Sequence, residues 1–375
     1  MSRRLWWWLV LFSALVLMVP QAMAQRPPET HPTDEHRDIV MSWDRSAMPG
    51  DLDIYREITG YSQDAALLYG RLHLVCHSAL DASTGKCPTS GVDDLGSGAS
   101  LIGLRLTEQR SGLTTEISVV GGLNRAIGTA ACGPQYWLDT ERPIWTSRQE
   151  ACAGEPAVGT RAQLKIPSSE LTRLVAGRWK GTLQISLFAD PLGVRLAGFR
   201  FDLDFEITDY DAVSIYLPEF QEAAPTIGLN LSYDPIARTV GGRAHLDMCL
   251  YDGLGSQSEY LGVTVRDSGT RPPGPTGYSV WHIDGAGGDS QRMDYTVTLD
   301  HNGARIALRN GVEEQLRNID TARLRLVMLP GMSQPVFCVP TPLTLDTPRV
   351  PIDEKRSGAY QGDLKVELRL PTSRP

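Results

Sequence analysis

The sequence predicts an all-β protein built from two sandwich domains in tandem. Three observations carry this. From Ala65 onward the chain is a succession of short apolar or alternating runs separated by glycine, proline and aspartate, with few helix-like stretches, as in strands joined by tight turns. A short polar break, Thr208-Asp-Tyr-Asp211, parts the long alternating run 199–207 from a fresh run at 213–217. The last apolar stretch alternates strictly: Leu364, Val366, Leu368 and Leu370 face one way, and Asp363, Lys365, Glu367 and Arg369 the other, because strand side chains alternate with period two. On pattern alone that stretch also suits the last strand of an ordinary sandwich.

The chain opens with a basic Met1-Ser-Arg-Arg4, an apolar run over 5–19 and the small-x-small site Ala22-Met-Ala24, which together read as a secretory signal peptide, residues 1–24. The run is shorter than the ~20 residues a membrane-spanning helix needs, and no second such run exists. The mature chain is long for one sandwich and comfortable for two domains. We expect a first domain at 25–208, a short linker at 209–211 and a second domain at 212–375.

Six cysteines in an exported chain predict disulfides. Sequence allows fifteen pairings; short spacing favours Cys76 with Cys87 and Cys132 with Cys152, leaving Cys249 for Cys338. None of the spacings suits a zinc or redox site, and no cofactor or metal is expected. The net charge of −8 argues against a nucleic-acid partner, since such binding depends on neutralising phosphates. Lysine occurs only at positions 86, 165, 180, 355 and 365. Genome composition explains the preference for arginine, although arginine also suits planar anion recognition.

Taken in order, residues 25–38 are proline-rich and charged, which predicts a flexible or extended lead-in. Strands are expected at 67–75, 100–106, 114–120, 162–166, 179–188 and 198–207, with one helical turn at 167–174 where a serine followed by glutamate offers a cap. In the second domain they are expected at 227–233, 242–251, 261–265, 278–283, 295–299, 305–308, 323–328 and 343–345, before the terminal strand. Residues 268–277 form a proline and glycine loop.

Catalytic motifs are missing: the sequence has no nucleophile elbow, metal-binding helix, phosphate loop or dinucleotide glycine pattern. His73 and His77 flank Cys76 on one strand face without further metal-binding residue types, so a structural role is expected. The row Asp202, Asp204 and Glu206 resembles a set of calcium ligands or paired carboxylates but reads better as the solvated face of a strand. Tyr136, Trp137 and Trp145, inside the 132–152 loop, suit a core, or stacking on a sugar.

Seven stretches share a further resemblance: Tyr69-Gly-Arg-Leu-His-Leu-Val-Cys76, Gly85-Lys-Cys-Pro88, Ile166-Pro-Ser-Ser-Glu-Leu171, Ile215-Tyr-Leu-Pro-Glu-Phe220, Leu246-Asp-Met-Cys-Leu-Tyr-Asp-Gly253, Pro335-Val-Phe-Cys338 and Gly358-Ala-Tyr-Gln-Gly-Asp-Leu-Lys-Val366. In order, spacing and all six cysteines, nearly the whole mature chain resembles the tip adhesins of class 5 (alpha-clade) chaperone-usher fimbriae, which initiate pilus biogenesis. The resemblance implies two immunoglobulin-like β-sandwich domains: an N-terminal adhesin domain and a C-terminal pilin domain that lacks its last strand. A periplasmic pilus chaperone, then the N-terminal donor strand of the major pilin subunit, would supply that strand at the outer-membrane usher, with Leu364, Val366, Leu368 and Leu370 lining the groove. It also implies display at the fimbrial tip on the cell surface, where no donor segment is needed ahead of the domain. The polar lead-in at 25–38 agrees.

The resemblance implies a host glycoprotein or glycolipid receptor, and in the family member whose adhesion is best understood the binding surface is an arginine-centred positive patch on the N-terminal domain. One of its arginines matches Arg71. The neighbouring arginine pair matches Ala189 and Asp190 and is therefore missing; Arg195, close in sequence, is the candidate replacement. The competing functions are a pilus initiator without receptor binding and a secreted hydrolase on a sandwich fold.

Overall fold

The computed structural model describes residues 26–129, 136–191, 193–332 and 334–371. The expected signal peptide lies outside the described residues.

The first domain contains β1 (Glu35–Asp44), β2 (Leu52–Tyr61), β3 (Leu72–Cys76), β4 (Ser100–Glu108), β5 (Thr114–Ile127), β6 (Arg142–Pro143), β7 (Ala151–Cys152), β8 (Glu155–Ile166), β9 (Gly177–Ala189) and β10 (Val194–Thr208). They join in the order β1-β10-β9-β4-β5-β8-β2, with β3 beside β9. The sheet folds on itself because its long strands serve different neighbours along their length. In β9, Trp179 and Lys180 pair with β4 while residues 185–189 pair with β3. The opposite ends of the strand order then meet face to face, with the Tyr55 ring 5.2 Å from Phe199. Alternate residues such as Ile102, Leu104 and Leu106, or Phe199, Phe201, Leu203 and Phe205, fill the core.

Two long strands of the first domain went unforeseen. Residues 35–38, expected in a flexible lead-in, begin β1, which pairs in parallel with β10 from Glu35 opposite Phe199 to Asp44 opposite Thr208. Ile39, Met41 and Trp43 alternate onto the core, with only Trp43 fully buried, and the strand's first half, Glu35-His-Arg-Asp38, is charged, so the period-two signal is faint. In β2 the register shifts twice, between Asp53 and Tyr55 and between Ile58 and Gly60, and such bulges break the alternation. The helical turn is present as α1 (Ser168–Leu171), but Pro167 precedes it and no side chain caps it. Glu170 instead accepts from Ser118 N and Arg173.

The second domain contains β11 (Ser214–Tyr216), β12 (Leu231–Asp234), β13 (Thr239–Leu246), β14 (Cys249–Tyr251), β15 (Tyr260–Asp267), β16 (Tyr278–His282), β17 (Arg292–His301), β18 (Ala304–Leu308), β19 (Glu313–Arg317), β20 (Arg325–Val327), β21 (Val336–Pro340), β22 (Leu343–Pro351), β23 (Tyr360–Gln361) and β24 (Leu364–Arg369). One sheet runs β12-β13-β22-β17-β16-β23 with β18 on β17; the others run β11-β14-β21-β20 and β19-β15-β24. The run 242–251, expected as one strand, is two: the chain leaves the first sheet at Leu246 and enters the second at Cys249.

The domains pack closely. Tyr251, Val327, Leu329 and Val336 of the second join the buried cluster of the first, and Gly253 O accepts from Asp209 N at 2.7 Å. A Cβ on Gly255 would lie 2.6 Å from the Gly177 Cα, so no side chain fits there. The region expected as a linker is a short turn, Tyr210–Ala212, packed at this junction.

Candidate functional site

Strand pairing brings Arg71 and Arg195 to the same pole of the first domain. Ala189 pairs with Leu72 on one side and with Val194 on the other, so Arg71, just ahead of β3, and Arg195, near the start of β10, flank the β9–β10 turn. Arg71 is half-buried and Arg195 exposed. Neither guanidinium has an ion-pair or hydrogen-bond partner among the described residues. The Arg195 fork folds back over Gly198, where any side chain would overlap it.

Beneath Arg71 sits Arg125, wholly buried. Its terminal nitrogens donate to Leu72 O at 2.6 Å, Thr160 Oγ1 at 2.5 Å, Thr146 O at 2.7 Å and Arg148 O at 3.5 Å. Burial pulls its pKa down to about 10, with Glu150 opposing and Arg142 and Arg71 adding to the fall; it remains a cation at neutral pH. Thr160 Oγ1 donates in turn to Tyr69 O at 2.6 Å. This network fixes the turn that carries Arg71, and it places Arg148, exposed and without a side-chain partner among the described residues, beside the same buried cation. Sequence reading missed both Arg125 and Arg148. The available signal was an arginine inside the apolar run Leu123-Asn-Arg-Ala-Ile127, because a buried charge must be satisfied by many partners.

The other polar candidates have structural work. The His73 ring is buried, stacks on Phe188 at 6.2 Å, and its Nδ1 lies 3.1 Å from Arg71 O; burial pushes its pKa down, against Arg71 O and Asp190. His77 Nε2 is 3.1 Å from Ser186 Oγ. Asp202 accepts from Arg200, Thr182 and His36, and the Arg200 contact above all holds it well below the usual carboxylate range. Asp204 pairs with Arg178 and Lys180. His36, Asp38 and Asp202 bring potential metal ligands within 4.8 Å of one another, yet a cation there would meet the Arg200 guanidinium. Trp145 packs against the core, whereas Trp137 is half-exposed under Arg161.

At the far end of the chain, β24 pairs with β15 over six rungs, from Leu364 opposite Asp267 to Arg369 opposite Gly262. Among the described residues no strand lies on its other edge. Leu364, Val366, Leu368 and Leu370 are half-buried on the second domain's core, as are Ile215, Leu217, Phe220, Ile227 and Leu229. Among the described residues β11 likewise pairs on one side only, with β14. On the opposite face of β24, Lys365 pairs with Glu367 and Arg369 with Glu313. Cys76 is bonded to Cys87 and Cys249 to Cys338. Cys152 is also disulfide-bonded, while Cys132 lies outside the described residues.

Comparisons with known proteins agree with this architecture. Residues 20–210 match the first domain of the CfaE family of CFA/I fimbrial subunits, and residues 213–372 its second domain. CfaE, a CFA/I fimbrial subunit of Escherichia coli, is 28% identical over 309 residues, covering 80% of each chain. The fold matches the crystal structure of CfaE, the adhesive subunit of the CFA/I fimbria of enterotoxigenic Escherichia coli, at a TM-score of 0.70 and 24% identity over 93% of this chain and 95% of that one. It also matches a chain of the chaperone–tip adhesin complex of CFA/I fimbriae, at a TM-score of 0.68 and 24% identity over 93% and 99%. With both domains matched in order along nearly its whole length, the chain belongs to the CfaE family of fimbrial subunits.

Proposed function

We propose that the chain is the tip adhesin of a chaperone-usher fimbria, exported through the periplasm to the cell surface. Its second domain accepts a donor strand, first from a periplasmic chaperone and then from the major pilin at the usher, and so starts the fibre. Its first domain contacts a host glycoprotein or glycolipid. The role is binding and assembly rather than catalysis, and it requires no cofactor.

The observation that carries this reading is the unpaired edge of β24 with Leu364, Val366, Leu368 and Leu370 half-exposed along it. An open edge beside apolar side chains invites an extended strand, whose backbone satisfies the edge and whose alternate side chains fill the groove. The disulfides fit an oxidising compartment. Arg71 and Arg195 are the proposed receptor contacts, with Arg148 as a third arginine at that pole. Unpaired guanidiniums on a firmly held turn suit an anionic or polar receptor group.

The deciding experiment compares thermal unfolding of the full mature chain with and without the pilin donor segment fused after Pro375. The donor is expected to raise the unfolding temperature of the second domain and to suppress aggregation. A monomer equally stable without it would show a complete sandwich and end the pilin reading. Arg71→Ala tests the adhesin half separately: it should reduce cell binding without lowering stability, and unchanged binding would remove Arg71 from the receptor site.

A further inference from the structure

The outer face of the β2–β8–β5 part of the first domain carries an arginine arrangement that the receptor pole does not use. Asn124 and Arg161 are paired across β5 and β8, one rung from Arg125 and Thr160. Neighbouring rungs point to opposite faces, so Arg125 supports the pole from inside while Arg161 faces outward. The Arg161 guanidinium lies 5.0 Å over the Trp137 ring, and its Nε donates to Asn124 Oδ1 at 3.3 Å. Asn124 is itself held by Leu138 O and Thr140 O. The fork is thus positioned on two sides, while its terminal nitrogens make no hydrogen bond among the described residues.

Arg56 is a second cation on this face. It is exposed and has no ion pair or hydrogen bond among the described residues, and it pairs across the ladder with Gln163, two residues from Arg161. Burial and the Arg56 charge both push the Arg161 pKa down, with Asp139 opposing from beyond ion-pair distance. Several other exposed cations of this domain sit against carboxylates: Lys165 on Asp51, Arg105 on Asp81, Arg178 on Asp204, Arg200 on Asp202. The Glu141 carboxylate on this face accepts from Gln163, and neither guanidinium has an ion-pair partner among the described residues; with the half-exposed indole alongside, the two form a site open to an anion.

We propose that Arg161 and Arg56, with Trp137, bind the acidic group of a glycan. The Arg161 fork matches the two oxygens of a carboxylate or sulfate, Arg56 adds the second charge, and the indole supplies an apolar face for the sugar ring. The site is separate from Arg71 and does not depend on the donor-strand reading.

The test is a titration of the full mature chain with 3′-sialyllactose, with lactose sulfated on one hydroxyl, and with neutral lactose, read by tryptophan fluorescence and calorimetry. At least one acidic probe should bind saturably and shift the fluorescence while lactose does not, and the probe that binds identifies carboxylate or sulfate as the group. Arg56→Ala should weaken binding about tenfold or more. It should leave the unfolding temperature unchanged, because Arg56 is exposed and makes no ion pair or hydrogen bond among the described residues. Arg161→Gln should weaken binding at least as much, and Trp137→Phe should remove the fluorescence change. Equal binding of lactose and the acidic probes, no binding of either acidic probe, or parent affinity in Arg56→Ala would overturn the proposal. So would weakening by Arg71→Ala alone, which would assign the ligand to the pole.

Discussion

The buried guanidinium of Arg125 donates to the carbonyl oxygen of Leu72 at 2.6 Å, and so fixes the residue that follows Arg71. Removing it leaves that carbonyl and Thr146 O without a donor inside the core. Arg125→Met should therefore destabilise the first domain by about 3 kcal/mol, since each buried unpaired group costs on the order of 1–3 kcal/mol. In a domain of this size that lowers the unfolding temperature by roughly 6–12 °C. Calorimetry checks this, and a shift below about 2 °C would mean the network is dispensable.

Gly70 tests the same turn sterically. Any Cβ there would overlap the backbone oxygen of Ala157, a rigid neighbour in β8. Gly70→Ala should cost about 1–3 kcal/mol, as overpacking does. It should also reduce receptor binding as strongly as Arg71→Ala, because the turn must move. Binding unaffected by Gly70→Ala would detach the turn's position from the receptor contact.

On β24 the two faces should respond differently. Val366→Asp or Leu368→Asp places a charge in the groove, where an unpaired buried carboxylate is strongly unfavourable. Either should abolish donor-strand capture and lower the yield of folded protein. Lys365→Gln removes only a surface pair with Glu367, worth at most about 1 kcal/mol, and should capture the donor normally. Co-purification with the chaperone distinguishes the two faces.

Asp44 gives the domain junction an acid limit. Its carboxylate accepts from Ser46 N and Oγ, Thr208 Oγ1 and Tyr210 N. Burial alone would raise its pKa, but these bonds outweigh burial and hold it at about 2, below the ordinary 3.8. A depressed folded-state pKa stabilises the fold above the unfolded-state value, and that contribution is lost as pH falls from about 4 to about 2. Asp44→Asn should flatten the stability profile in that window and cost about 1 kcal/mol at neutral pH after solvent screening. Parallel acid-unfolding curves for parent and variant would refute it.

The all-β class and most strands were legible because their side chains alternate between core and water, as in β4, β10 and β24. β1 was not, because its apolar alternation is confined to Ile39, Met41 and Trp43 behind a charged first half. β19 escaped for a similar reason: Glu313-Glu-Gln-Leu-Arg317 buries Leu316 alone. At the candidate site, the position of Arg71 could be read from its motif. The support from Arg125, the nearness of Arg148, and the placing of Arg161 on Trp137 arise from strand pairing between residues far apart in the chain, which no local pattern encodes.

Because β1 runs parallel to β10, the segment ahead of it arrives at the arginine pole. His31 Nδ1 lies 2.8 Å from the Tyr69 hydroxyl, and Asp34 Oδ1 accepts from Gly198 N at 2.6 Å. An affinity tag or fluorophore joined ahead of Arg26 would therefore crowd Arg71 and Arg195 and depress apparent adhesion without touching either residue. A label joined beyond residue 371 would sit on the other domain and leave the pole clear.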